Sequence, residues 1–237
     1  MATFVLVHGP WHGGWCWERV APLLRAGGHR VETPDLPGHG DDRTLAAEIT
    51  LRLYTEAMLR FVAGAGEPVV LVGHGTAGAV ISQVAEHCPD GVAVLVYLAA
   101  FLLRNGESAL DVGLTDRDSL LAANLLSYPT QSIIAVRPES LRDVFYHDCT
   151  DPTVAGAIAR VCPEPIAPAA TPISVIPERF GRVRRIYVET RRDHALGTAM
   201  QRRMYGTLPC ERVLSLDTGH APFFSAPEEL ASRLLSV

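Results

Sequence analysis

The segment from Val69 to Gly78 combines an apolar strand, a glycine-rich turn and the start of a helix, an arrangement that can carry a catalytic nucleophile. The apolar run ends at Gly73-His74-Gly75, and small residues from Thr76 onward favour a helix. Small residues permit a strained turn that lifts one side chain above a sheet at a helix N-terminus. The apex of such a turn usually carries Ser, Cys or Asp. Here the apex is Gly75, so we expect no covalent intermediate.

The elements around this turn predict an α/β fold with a mainly parallel sheet. Continuous apolar runs alternate with helical patterns, and parallel strands need long crossovers and are buried on both faces. The predicted strands are Phe4–Val7, 31–36, 68–72, 92–100, 185–190 and 212–216. The predicted helices are 18–25, 45–62, 76–87 and 227–235.

Residues 102–178 differ from the rest of the chain. They contain eight of the prolines and several helix-like patches, but no apolar run comparable with the predicted strands. We interpret them as a helical cap inserted over the strand ends. The predicted organisation is therefore one α/β domain over residues 1–237, with its core in 1–101 and 179–237 and the cap between them.

Composition excludes several classes of protein. The chain has 237 residues and a formal net charge of −5, whereas a nucleic-acid binder of this size is normally basic. No apolar run approaches the roughly 20 residues that span a bilayer, and the start Met1-Ala2-Thr3 lacks the basic region of a signal peptide. Five widely spaced cysteines predict reduced thiols. We expect a cytoplasmic protein that does not bind membranes or nucleic acid.

Several motifs together resemble a known superfamily. They are Val5-Leu6-Val7-His8-Gly9, His12-Gly13-Gly14-Trp15-Cys16-Trp17, Asp35-Leu36-Pro37-Gly38-His39-Gly40 and Asp217-Thr218-Gly219-His220. This chain resembles the α/β-hydrolase superfamily, in particular the compact branch of plant methylesterases, hydroxynitrile lyases and related bacterial esterases. The resemblance covers both ends of the chain and implies an α/β-hydrolase fold with an inserted cap.

The resemblance implies three catalytic positions. In this superfamily the nucleophile, the acid and the histidine follow one another along the chain. Carried over by position, they are Gly75, Asp193 and His220. Asp193 would orient the imidazole and stabilise its charged form, and His220 would act as base. Asp217 is the alternative acid, although it lies only three residues from His220 at a strand end.

The oxyanion hole departs from the family pattern as well. In this fold one N–H follows the nucleophile, here Thr76, and the other comes from the loop after the first strand, in the region of Gly9 and Pro10. The loop donor aligns with Pro10, which has no N–H. Hydroxynitrile lyases would require Ser, Thr and Lys where this chain has Gly75, Gly9 and Ala221. Cyanohydrin cleavage is therefore not expected, and a neighbouring residue could still complete the hole.

We expect an apolar substrate pocket under the cap. The candidate contact residues are Trp11, His74, Leu102, Tyr128, Phe145 and Phe223. Apolar residues at helical spacing are usually core, so part of this set has a packing role in the alternative interpretation. If the pocket is apolar, the ligand should be a small aromatic or polyketide-like carbonyl compound.

Together these residues predict a cofactor-free enzyme in which His220 and Asp193 perform general acid–base chemistry of the lyase, cyclase, dehydratase or isomerase type. Gly75 would leave space for a water or a substrate oxygen over the helix N-terminus. Two alternatives remain open: an ester or lactone hydrolase whose nucleophilic Ser is replaced by Gly75, and a non-catalytic binding protein. No metal or nucleotide motif is present. The expected partner is a small-molecule substrate, and a homodimer is left open.

Overall fold

A six-stranded parallel sheet forms the centre of the fold. The computed structural model covers residues 1–237. Its strands are Thr3–Val7 (β1), Arg30–Glu32 (β2), Val69–Gly75 (β3), Val92–Ala100 (β4), Arg185–Thr190 (β8) and Arg212–Leu216 (β9). They are arranged in the order β2-β1-β3-β4-β8-β9, and every neighbouring pair is parallel. The predicted α/β class is confirmed, because the strand runs read from the sequence form this sheet.

Ten α-helices and several short 3-10 helices accompany the sheet. The α-helices are Ala21–Ala26 (α1), Leu51–Gly64 (α2), Ala77–His87 (α3), Ala109–Gly113 (α4), Leu141–Phe145 (α5), Asp151–Ile158 (α6), Ile166–Ala170 (α7), Thr198–Thr207 (α8), Pro222–Ser225 (α9) and Pro227–Leu235 (α10). The 3-10 helices are Gly14–Trp17, Ala46–Glu48, Pro89–Gly91, Ala122–Asn124, Pro129–Gln131, Pro138–Ser140 and Phe180–Arg182. Two apolar clusters fill the space on the two faces of the sheet, as the buried strands require.

Two predicted boundaries differ from the structure for local reasons. The predicted helix 45–62 is interrupted at Ile49, and α2 begins after Thr50, whose side chain accepts the Leu53 N–H as an N-cap. The strand predicted over 31–36 ends at Glu32. The following loop turns back so that Asp35 accepts the Gly14 N–H at 2.7 Å.

The cap segment, residues 102–178, contains more than the predicted helices. Its helices α4 to α7 are joined by a small antiparallel sheet of Leu125–Tyr128 (β5), Ile133–Val136 (β6) and Glu164–Pro165 (β7). The segment predicted as a helical cap therefore also contains three short strands. These strands have only two to four residues, which is too short to give a periodic hydrophobic pattern in the sequence.

The turn between β3 and α3 has the backbone shape that the sequence indicates. Gly75 has φ +57°, a left-handed conformation that favours glycine. Its carbonyl accepts the Phe101 N–H at 3.0 Å, which ties the turn to the end of β4. No helix is long and apolar enough to span a membrane, and all five cysteines are free thiols.

Candidate active site

His220 and Asp193 form a buried pair at the carboxyl ends of β8 and β9. His220 Nδ1 donates to Asp193 Oδ2 at 2.8 Å, and the two residues are 4% and 6% exposed. His220 Nε2 has no hydrogen-bond partner in the chain, and the residue lines a cavity below the cap segment. With Nδ1 protonated, the lone pair of a neutral imidazole lies on Nε2. The pair can therefore accept a proton from a molecule in the cavity.

Asp193 is fixed by hydrogen bonds to both of its carboxylate oxygens. Oδ1 accepts the backbone N–H groups of Ala195 and Leu196, each at 2.8 Å. Oδ2 accepts the Thr190 hydroxyl at 2.7 Å and the Gln201 side-chain amide at 3.2 Å, in addition to His220. A buried carboxylate with this many donors is fixed in position, and it orients the imidazole.

Asp217, the alternative acid, lies on the surface and contacts Arg192 rather than His220. Its short sequence distance from His220 does not bring the two side chains together. His220 is thus oriented by Asp193, which lies 27 residues away in the sequence.

Two further histidines beside His220 remain uncharged. Burial lowers the pKa of His12 to about 4, and burial together with nearby His220 lowers the pKa of His74. His12 Nδ1 donates to the Pro10 carbonyl, and its Nε2 accepts the Tyr146 hydroxyl at 2.8 Å. His74 Nε2 donates to the His220 carbonyl at 2.9 Å. Neutral neighbours leave the proton chemistry of the site to His220.

Gly75 leaves an open position directly in front of His220. A Cβ placed on Gly75 would lie 3.8 Å from His220 Nε2 and 3.1 Å from Pro10 Cδ. A side chain at this position would therefore point at the base, which is the relation of a nucleophile to its histidine. The same side chain would be crowded by the Pro10 ring. Residues 75 and 10 are thus direct neighbours in the site.

The oxyanion region retains only one free donor. Thr76 precedes α3, and its backbone N–H has no acceptor in the chain, as expected at a helix start. Pro10 has no N–H. The next donor along this loop, the Trp11 N–H, is bound to Glu164 Oε2 at 3.1 Å. Trp11 is the neighbouring residue whose N–H could complete the oxyanion hole. This N–H is bound to the Glu164 carboxylate instead.

Gly9 has a packing role and does not line the cavity. A Cβ at this position would lie only 2.5 Å from His74 Nδ1. The absence of a side chain at Gly9 lets the His74 ring approach the loop, and the Gly9 Cα lies 3.8 Å from the Cβ position of Gly75.

The cavity below the cap segment is mainly apolar. Its walls come from the loops after β1, β3, β4 and β8 and from the cap segment. Twelve of the nineteen lining residues are hydrophobic. The lining residues are Pro10, Trp11, Gly75, Thr76, Phe101, Ala109, Leu110, Gly113, Leu114, Ser119, Leu121, Ala122, Leu125, Ile134, Glu164, Ala169, Ala195, Leu196 and His220. Such a lining suits an uncharged, largely apolar ligand.

Of the six predicted contact residues, only Trp11 lines this cavity. His74, Phe145 and Phe223 are fully buried behind His220, where the rings of His74 and Phe145 lie 4.4 and 5.8 Å from its imidazole. Leu102 belongs to the apolar core, and Tyr128 is 42% exposed on the cap segment. These five residues therefore lie outside the cavity lining: four are buried in packing positions, and Tyr128 lies on the surface.

Sequence reasoning missed Glu164. It is 2% exposed and lines the cavity, although it lies 56 residues before His220. A signal was present, because Pro163-Glu164-Pro165 places one acidic residue in an otherwise apolar stretch. No cluster of three or more His, Cys, Asp or Glu is arranged to hold a metal ion.

Comparison with known proteins agrees with this architecture. A model of the alpha/beta hydrolase family matches residues 4–233. A pyrethroid hydrolase of Sphingobium wenxiniae is 34% identical over 99% of this chain and 86% of its own length. Putative methylesterase 11 of Arabidopsis thaliana is 33% identical over 99% of this chain. The chain spans 63% of the length of that relative. The chain spans 55% of putative methylesterase 13.

Solved structures give the same result. A crystal structure of a pyrethroid hydrolase superimposes with a TM-score of 0.88 at 30% identity, covering 99% of this chain and 96% of the other. A variant of tomato methylketone synthase I complexed with beta-ketoheptanoate superimposes with a TM-score of 0.84 at 27% identity and the same coverages. With the family match over almost its whole length, the chain belongs to the alpha/beta hydrolase family.

Proposed function

We propose that this protein is a cofactor-free enzyme that uses His220, oriented by Asp193, as a general base and acid in a non-hydrolytic reaction. The proposed reaction class is elimination, dehydration, cyclisation or isomerisation of a small, largely apolar carbonyl compound. One observation carries the proposal. His220 Nε2 faces the cavity with its Asp193 partner in place, while the position of the nucleophile in front of it is Gly75.

The proposed first step is proton abstraction next to a carbonyl group. His220 Nε2 takes the proton, and the electron pair of the broken C–H bond moves into the carbonyl to give an enolate. Asp193 stabilises the imidazolium that results, and the free Thr76 N–H can donate to the developing oxygen charge. The imidazolium then returns the proton to another atom of the substrate or to a leaving group. A positioned histidine contributes about 10²- to 10⁴-fold to such a step.

The cavity and one relative support a carbonyl substrate. Apart from His220 and Glu164, the lining has no ionisable side chain, so it provides no cation for a charged ligand. Tomato methylketone synthase I, a variant of which is known in complex with beta-ketoheptanoate, has a name that describes formation of a ketone rather than hydrolysis of an ester. Non-hydrolytic chemistry on a carbonyl compound is thus compatible with this fold.

Ester hydrolysis is the second candidate, and the names of the relatives favour it. The pyrethroid hydrolase and the methylesterases are named for hydrolytic reactions. In this chain such a reaction would require water, activated by His220, in the space left by Gly75. The resulting oxyanion would meet the Thr76 N–H but no second loop donor, because Pro10 has none and the Trp11 N–H is bound to Glu164. Loss of one such donor costs about 2.7–4 kcal/mol of transition-state stabilisation.

Deuterium exchange tests the proposal without knowledge of the natural substrate. The protein is incubated in D₂O with small aryl ketones such as acetophenone and propiophenone, and loss of the α-proton signal is followed by NMR. We expect exchange above the buffer rate and a decrease of at least 100-fold in His220→Ala. Exchange that is unaffected by His220→Ala, or absent in the wild type, would overturn the proposed base. In the third alternative, a binding protein, the ketones bind but do not exchange.

A further inference from the structure

Glu164 is a second buried acidic group in the cavity, and it is held in place by the core. Its Oε2 atom lies 2.7 Å from His39 Nε2 and accepts the Trp11 N–H at 3.1 Å. His39 is itself 1% exposed, and its Nδ1 lies 3.3 Å from both the Pro37 carbonyl and the Tyr54 hydroxyl. The carboxylate is therefore held by two contacts with the core, although it belongs to the cap segment.

Both core contacts use the same oxygen atom of Glu164. The other oxygen, Oε1, has no hydrogen-bond partner in the chain, and it is not among the polar atoms sealed from solvent. Glu164 lines the cavity together with His220. Oε1 is thus the carboxylate oxygen that no group of the chain occupies. A polar atom left without a partner in an apolar site is costly, so this position favours a ligand that donates a hydrogen bond.

The electrostatics of the His39–Glu164 pair also favour a ligand that donates a hydrogen bond. Burial opposes a charge on His39, but the adjacent Glu164 carboxylate outweighs it, and the pKa of His39 is raised. An ionised carboxylate beside this imidazole only accepts hydrogen bonds. No Arg lines the cavity to balance an anionic ligand, and the chain has no Lys.

We propose that Glu164 Oε1 accepts a hydrogen bond from a substrate hydroxyl, so that the substrate is an uncharged apolar hydroxy carbonyl compound. This inference rests on the proposed function, which places the carbonyl group of the substrate towards His220. It adds a substrate hydroxyl group, which lies towards Glu164. Compounds with a carboxylate at the second position are excluded by charge repulsion. A phenol or an alcohol meets the requirement, whereas the corresponding methyl ether does not.

Binding of three matched probes tests this inference. Isothermal titration calorimetry compares para-hydroxyacetophenone, para-methoxyacetophenone and para-acetylbenzoate, which differ only in the group opposite the ketone. In the wild type we expect the hydroxy compound to bind at least about tenfold more tightly than the methoxy compound, and the carboxylate not to bind. A hydrogen bond to a charged group has the strength required for this preference.

Glu164→Gln gives the sharpest contrast, because it can keep one oxygen on the Trp11 N–H and His39 while presenting an NH₂ group at the position of Oε1. The hydroxy-to-methoxy affinity ratio should fall at least tenfold, and para-acetylbenzoate should begin to bind. Glu189→Gln is the matched control, since Glu189 is also buried but contacts Tyr205, Ser215 and Arg202 away from the cavity. It should leave the ratio unchanged. Thermal melting verifies that both variants are folded.

An unchanged hydroxy-to-methoxy affinity ratio in folded Glu164→Gln overturns the inference. A wild type that binds the methoxy compound or the carboxylate as tightly as the hydroxy compound overturns it too. So does a wild type that binds none of the probes. His220→Ala separates this result from the proposed function. It should abolish α-proton exchange and preserve the affinity ratio, whereas failure of the Glu164 inference leaves exchange intact.

Discussion

The candidate active site has two halves that differ in the chemical groups they offer. In one half, Asp193 and His220 keep the hydrogen-bonded geometry of an acid and a base, with four further donors on the carboxylate. In the other half, the turn in front of His220 carries Gly75, Pro10 in the loop after β1 has no N–H, and the Trp11 N–H is bound to Glu164. Proton transfer needs the first half alone. Acyl transfer needs both.

The difference also extends to the two buried carboxylates. Asp193 orients an imidazole whose free nitrogen faces the cavity, and Glu164 occupies the Trp11 N–H, the next donor after Pro10 in the loop that follows β1. The two buried carboxylates thus have different neighbours, because one holds the His220 imidazole and the other holds His39 and a backbone N–H.

The largest expected effect is on the retained half. Asp193→Asn places an amide beside His220 Nδ1, which favours the tautomer with its proton on Nε2 and removes the base from the cavity. We expect α-proton exchange to fall by about 10²- to 10⁴-fold, which is the full contribution of a positioned base. The measurement is the NMR exchange rate in D₂O. Retention of most of the exchange rate would show that His220 does not depend on Asp193.

A smaller effect concerns the neutral histidines behind the base. The pKa of His12 is lowered to about 4, so the unfolded chain binds a proton at higher pH than the folded one. Stability from this group is present above pH 6.5 and is lost as the pH falls towards 4. Between pH 7 and pH 5 the loss amounts to about 2 kcal/mol. Urea unfolding at both pH values should show that His12→Asn loses less stability on acidification than the wild type. An equal loss in both proteins contradicts the assignment.

The smallest effect concerns the backbone of the altered half. Gly75→Ala puts a Cβ on a residue with φ +57° and against Pro10 Cδ. We expect the free energy of unfolding to decrease by roughly 1–2 kcal/mol, the cost of a left-handed conformation with a side chain. Gly206→Ala is the control, because Gly206 lies in α8 with open space around its Cβ position. This change should stabilise the protein by about 0.5–1 kcal/mol. Equal effects would show that the turn at Gly75 is unstrained.

The sequence predicted the core of the fold more completely than the site. Long apolar strands such as Val92–Ala100 are visible because burial on both faces leaves a continuous run. Asp193 and His220 were located by resemblance, and the structure brings them within 2.8 Å. The cap sheet and the Glu164 contact with Trp11 were not visible. The cap strands have only two to four residues, too few to give a pattern, and the Glu164–Trp11 contact joins residues 153 positions apart.

The most direct test of the central claim is the hydrolysis of para-nitrophenyl acetate by Gly75→Ser, compared with the wild type and with Pro10→Gly/Gly75→Ser. The account predicts that the single variant gains little, because the serine meets Pro10 and one oxyanion donor is still missing. The double variant, which regains an N–H at position 10, should exceed it by about 10²-fold. A large, His220-dependent rate in Gly75→Ser alone would show that the oxyanion hole is intact and that this chain is a hydrolase lacking only its serine.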